Sequence, residues 1–205
     1  SIRKEARCWV MNKINPMLNA DFPGVDIIRV GEVYYMLCGS FHFYPGGELL
    51  RSYDLKSWER VGYVYDSLEG EAKQKLVAER SHYGQGMWSG CIRYHKDKFY
   101  VMFTAHDPMK TYVYVADQIE GPWVRSEVDG IFQDCTLVFD EDGEAYAVYG
   151  YKNIYISQLN ESLTAPKEGG SHKRILSDNG DNVLEYSGAH MYRIDGSYYL
   201  FVLNR

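Results

Sequence analysis

What this chain lacks narrows it first. No stretch is apolar over the length a membrane-spanning helix requires, and the N-terminus has none of the charged, apolar and small-residue order of a signal peptide. Those absences set the expectation of a cytoplasmic protein with no membrane partner. Positive charge is not in excess, with 22 Lys and Arg against 28 Asp and Glu and a formal net charge of −6. Without a basic stripe to neutralise phosphates, nucleic acid is excluded as a partner. Cysteine is scarce: Cys8, Cys38, Cys91 and Cys135 show none of the CxxC or Cys/His spacings that hold zinc. Three of them sit in apolar, strand-like runs, where cysteine behaves as a small hydrophobe, so reduced thiols and no metal ligands are expected. Helical periodicity is almost missing too. Its one candidate is the stretch 70–78, "GEAKQKLVA".

What is abundant is aromatic. Aromatics make up 15% of the chain, with 19 tyrosines. Such residues suit strands, and they also suit clefts where a ring face meets sugar C–H groups while a hydroxyl reaches polar partners. A self-comparison shows how they are organised. Four segments, "DIIRVGEVYYMLCG" (26–39), "GCIRYHKDKFYVMFTA" (90–105), "CTLVFDEDGEAYAVYG" (135–150) and "GAHMYRIDGSYYLFVL" (188–203), share one plan of apolar strand, tight polar turn and aromatic-rich strand. Aligned on Tyr35, Tyr100, Tyr146 and Tyr199, they recur at intervals of 65, 46 and 53 residues. Their turns, Gly31-Glu32, Lys96-Asp97, Asp142-Gly143 and Asp195-Gly196, are hairpin chemistry.

The first two units continue with a further strand pair in which an acidic residue (Asp54, Asp117) precedes a tryptophan (Trp58, Trp123). A repeat of this length carrying four strands is the blade of a β-propeller. A β-sandwich is the alternative, but it does not call for repeated copies of one module. The expected architecture is all-β, a single domain over 1–205 with blades at about 22–66, 86–128, 131–178 and 185–205, the last incomplete. That is about three and a half blades, so the ring is expected to be completed by the remainder of a propeller or by another copy of the chain.

In a propeller the innermost strand of each blade lines a central channel, and the residues leading into those strands converge at one mouth. Here the lead-ins are "FPGVDI", "GMWSGCI", "IFQDCTL" and "EYSGAHM". They bring Gly24 and Asp26, Trp88 and Ser89, Gln133 and Asp134, and Glu185, Ser187 and His190 to that mouth. Carboxylates from different blades facing each other beside a tryptophan suit glycosidic hydrolysis, in which one acid protonates the leaving oxygen and one base activates water. Taken singly, each acid has a plainer reading as a turn cap.

At these residues the sequence resembles glycoside hydrolase family 43, in its β-xylosidase and α-L-arabinofuranosidase branches. The resemblance rests on "NPMLNADFPGVDIIRVGEVYYM", "FHFYPGGELLRSYDLKSWERVG", "YGQGMWSGCIRYHKDKFYVMF", "IEGPW", "GIFQDCTLVFDEDGEAYAVYG" and "YSGAHMYRIDGSYYLF", in order from about residue 15 to 203. It implies a five-bladed propeller, an inverting mechanism and a pentose-containing oligosaccharide derived from xylan as substrate. It further implies three carboxylates. The orienter that tunes the acid's pKa falls on Asp134. The general base falls on Gly24 and the general acid on Ser187, neither of which can do the work. Gly24 is therefore read as a missing side chain rather than as a turn residue. Asp26 and Glu185, each two residues from a lost carboxylate, are the conceivable substitutes, with Asp26 better read as a supporting residue counted among the substrate contacts. Trp88 is expected to wall the sugar site, and Phe41, His42 and Phe43 to shape the first subsite. His190 follows the acid position, and Gln133 replaces a histidine before the orienter. The resemblance implies no required cofactor, with a channel calcium conceivable in a complete ring. Paired loss of base and acid within an intact frame fits a deliberately silenced enzyme or a non-catalytic carbohydrate-binding propeller. A protein-interaction propeller has less to recommend it, because the frame of the sugar cleft is kept.

Overall fold

The computed structural model describes residues 16–68, 84–180 and 185–203. The helix expected over 70–78 and Cys8 lie outside them. The described residues form four antiparallel sheets, each a consecutive stretch of chain. The first comprises β1 (Asp26–Val30), β2 (Val33–Cys38), β3 (Gly46–Ser52) and β4 (Glu59–Tyr65). The second comprises β5 (Met87–His95), β6 (Lys98–Ala105), β7 (Lys110–Ala116) and β8 (Val124–Val128). The third runs β9 (Thr136–Phe139), β10 (Ala145–Tyr149), β11 (Asn153–Gln158) and β12 (His172–Ser177). The fourth pairs β13 (Ser187–Ile194) with β14 (Ser197–Leu203). Every sheet is a meander whose first strand lies innermost, with β1, β5, β9 and β13 successive neighbours around an axis. This is propeller architecture, and the sandwich alternative is not formed.

Turn chemistry explains the hairpins. Lys96 and Asp97 (φ 47° and 60°) and Asp195 and Gly196 (φ 49° and 79°) are both left-handed, as a two-residue turn needs to match the strands' twist. The third sheet departs from the expected two-residue turn. There 140–144 form a wider loop, in which Asp140 Oδ1 accepts from the amides of Asp142 and Glu144 at 3.0 and 2.8 Å.

Alternation along the strands builds the core between sheets. On β6, Phe99, Val101, Phe103 and Ala105 face the first sheet, meeting Leu37, Leu49, Val64 and Tyr65. Between them, Met102 faces the third sheet with Cys91, Val113, Leu137 and Ala147. Side chains two apart share one face of a strand, so a single central strand serves two interfaces. Val138, Val148, Ile154, Ala189 and Met191 fill the space between the third and fourth sheets. Cys38, Cys91 and Cys135 are buried free thiols. The pattern stops at the far side of the fourth sheet, where Ile194, Phe201 and Leu203 are exposed and face Val25 and Ile27 across an open gap.

Candidate active site

The site is assembled where the four innermost strands begin. Gly24, Ser89, Gly188 and His190 line one cavity of 750 Å³, with Asp26 and Tyr192 deeper along its wall. Two of these strands have irregular register at this end, between Met87 and Gly90 on β5 and between Ser187 and His190 on β13. Such bulges re-aim side chains near functional surfaces. Three lead-in residues are left-handed: Gly24 (φ 57°), Asp134 (φ 49°) and Gly188 (φ 60°). For Asp134 this is a strained conformation, tolerated by Asp better than by most residues.

Gly24 is thus more than a missing side chain. Its positive φ supplies a backbone reason for glycine, and a Cβ there would stand 3.3 Å from both Cα and Oγ of Ser89. The turn reading set aside from sequence is therefore part of the answer.

Asp134 is half-buried and accepts a hydrogen bond from the Gly188 amide. Burial pushes its carboxyl above the ordinary range, against the opposing pull of that amide and of the His106 and His190 imidazoles. The orienter position is therefore linked to the strand carrying Ser187, which is half-buried at the start of β13 opposite Leu203.

Asp26, expected among the substrate contacts, is 2% exposed and committed elsewhere. Its Oδ2 accepts from Arg93 Nη1 at 2.5 Å and from the Ile92 amide at 3.0 Å. Its Oδ1 accepts from the Tyr192 hydroxyl at 2.7 Å and faces His190 Nδ1 at 3.6 Å, an electrostatic contact too long for a hydrogen bond. Burial alone would raise its pKa, but Arg93, His190 and Tyr192 outweigh that and hold it at about 2. A carboxylate so stabilised is a poor proton acceptor. Glu185, the other conceivable substitute, is bound by Lys152 Nζ at 2.8 Å.

Sequence reasoning did not single out Arg93, which joins every sheet at the axis. It donates to Leu137 O at 2.8 Å, to Thr136 Oγ1 and to Asp26, and its guanidinium lies 5.0 Å from the centre of the Tyr192 ring. The signal was present: a charged residue inside the apolar run of β5 must find a buried counter-charge. Calcium fits this axis poorly. It takes six to eight oxygen ligands, whereas the Asp26 carboxylate is already neutralised by a guanidinium. Among the described residues no group of three or more His, Cys, Asp or Glu is placed to hold a metal.

Trp88 is 38% exposed, but its ring is not bare. Phe41 lies parallel to it at 5.1 Å and His106 at 4.4 Å, while its indole N–H donates to Gly84 O at 2.7 Å. Phe41, His42 and Phe43 line a separate cavity of 280 Å³ beside the first sheet, with Phe43 exposed. Gln133 is exposed, and its carbonyl accepts from the Gly150 amide at 2.9 Å. The Phe41 loop is fastened to the second sheet by backbone bonds from Gly86 to Phe41 O (2.9 Å) and from Met87 to Ser40 O (3.0 Å).

Comparison with known proteins agrees with this geometry. The profile of Glycosyl hydrolases family 43 matches residues 14–203. A beta-xylosidase of Formosa agariphila is 32% identical, the match covering 92% of this chain and 33% of that protein. Xylosidase/arabinosidase 43B of Humicola insolens is 29% identical over 91% of this chain and 36% of its own. Among solved structures, a bifunctional GH43-CE protein of Bacteroides eggerthii superimposes with a TM-score of 0.85 at 34% identity, covering 93% of this chain and 25% of that one. The chain spans about a third of the length of these curated relatives.

Proposed function

The chain belongs to family 43 of the glycosyl hydrolases and carries part of a five-bladed β-propeller, and from that premise we propose that it holds pentose-containing oligosaccharides in its cleft without hydrolysing them. The ligands are xylose- or arabinofuranose-terminated fragments of xylan. What carries this reading is that Gly24 and Ser187 stand where the resemblance implies the base and the acid, leaving Asp134 alone of the three expected carboxylates, while Gly24 and the neighbour of Ser187, Gly188, line one cavity.

Inverting hydrolysis needs an acid and a base about 6.5–9.5 Å apart, with water between the base and the sugar. Gly24 has no group to take the proton of that water. The Ser187 hydroxyl is too weak an acid to protonate a leaving oxygen. Asp26 is held at about 2 by its partners and Glu185 is engaged by Lys152, so neither replaces them. What remains is a binding surface of Asp134, His190, Ser89 and the aromatic group around Trp88. The open apolar gap between β1 and β14 is filled by a further blade, supplied by the remainder of a propeller or by a second copy of the chain.

The test is hydrolysis of 4-nitrophenyl β-xyloside and α-L-arabinofuranoside together with calorimetric binding of xylobiose. The expected result is binding with hydrolysis at background, and turnover after Gly24→Asp with Ser187→Glu in a five-bladed chain. A double variant that folds and binds sugar yet stays inert would overturn the catalytic assignment. It would favour the non-catalytic binding propeller.

A further inference from the structure

We propose that His106 is a positioning residue of the cleft, its imidazole held by Trp88 and directed to the hydroxyls of a bound pentose beside Asp134. This rests on the carbohydrate reading above. His106 follows the last residue of β6, and its backbone is fixed to the segment that leads into β5. The His106 amide donates to Gly86 O at 3.2 Å, and the next amide, Asp107, donates to Gln85 O at 2.7 Å. The ring is fixed as well, lying 4.4 Å from the indole of Trp88 with 13° between planes. Trp88 is in turn stacked with Phe41 and tied through its N–H to Gly84 O. Backbone and ring are thus both anchored, so the imidazole is pre-oriented before any ligand arrives.

Its polar atoms are uncommitted. Among the described residues neither ring nitrogen of His106 makes a hydrogen bond, and no other ring packs on it. The imidazole is half-buried and within electrostatic reach of Asp134, whose carboxylate comes from the third sheet. A rigid imidazole beside a carboxylate offers donor and acceptor positions together, the combination that recognises a pair of sugar hydroxyls. Trp88, with two rings already parallel to it and its N–H spent, acts here as the support of the imidazole.

The experiment is NMR of the imidazole ring signals during titration with xylobiose and with α-L-arabinofuranosyl-xylobiose, the His106 signals being identified by their loss in His106→Gln. The expected result is displacement of the His106 signals as the ligand saturates. In addition, His106→Phe, which keeps a ring against Trp88 and removes both nitrogens, should weaken binding by about three- to tenfold. His106→Gln, which restores a donor and an acceptor, should recover part of that loss. Signals unmoved at saturation, or wild-type affinity in folded His106→Phe, would overturn the proposal and leave the carbohydrate reading standing. Failure of the unaltered protein to bind either sugar would overturn both.

Discussion

Arg93 reaches Asp26 at 2.5 Å across the boundary between the second and first sheets, and the same guanidinium touches the third and fourth. The pair is buried, with the two side chains 12% and 0% exposed. It is the polar centre on which four sheets and the three apolar interfaces between them meet. A charge so placed is tolerated because nearly every donor and acceptor around it is used.

Removing one member of the pair should therefore be costly. Asp26→Asn keeps the shape but leaves the guanidinium without its counter-charge. It is expected to lower stability by about 3–5 kcal/mol, as breakage of a buried pair does. Urea unfolding of the variant against the unaltered chain measures this.

The same pair sets the acid limit of the fold. Asp26 is lowered from 3.8 to about 2, so the folded state binds its proton less readily than the unfolded chain. Its contribution is fully present above pH 3.8 and is lost as the pH falls toward 2, an effect of about 2 kcal/mol. Asp134 works the other way: its raised pKa favours the protonated folded form, and that contribution disappears as the pH rises through its folded value. Thermal melts between pH 6 and 2 should show a shallower acid decline in Asp26→Asn than in the unaltered chain.

Gly24 distinguishes a backbone requirement from an absent side chain. At φ 57°, with Ser89 3.3 Å from any Cβ, Gly24→Ala should destabilise by about 1–2 kcal/mol. Gly24→Asp should lose less, because Asp adopts the left-handed region more readily than Ala. The order of their melting temperatures decides the matter, and equal losses would leave only the contact with Ser89 as the cause.

Phe103 is fully buried in the interface between the first two sheets, stacked with Tyr65 and Tyr114 at 5.4 and 5.8 Å. Phe103→Ala should cost about 3–5 kcal/mol in unfolding free energy through the cavity it leaves. A small loss would mean that the interface collapses around the vacancy.

Most of the architecture was legible because it is written in local periodicity. The tyrosine-aligned repeat and the tight turns at 31–32, 96–97 and 195–196 predicted hairpins that the structure contains. The turn at 142–143 was misjudged, since Asp140 gathers two amides into a wider loop. The site was legible less evenly. Convergence of Gly24, Ser89 and His190 at one cavity follows from the repeat. Asp26 was placed on the correct strand, yet its partners Arg93 and Tyr192 are 67 and 166 residues away along the chain; the charge inside the apolar run of β5 signalled that Arg93 needs a buried counter-charge, but nothing named Asp26 as that partner. Trp88 was expected to wall the sugar site, and nothing in its neighbourhood of sequence revealed that Phe41 and His106 would stack on it.

The sequence by itself determined which atoms are available: strands that alternate, turns that close, and the side chains of Gly24 and Ser187, neither of which carries a carboxyl group. Those are covalent facts and need no folding to be true. Only the tertiary structure decided what the remaining groups do. It made Asp26 a saturated anion beside Arg93, raised the pKa of Asp134 by burial, put Gly24 in the left-handed region and set His106 against Trp88. Ionisation, hydration and ring contact depend on neighbours in space, and those neighbours come from different sheets.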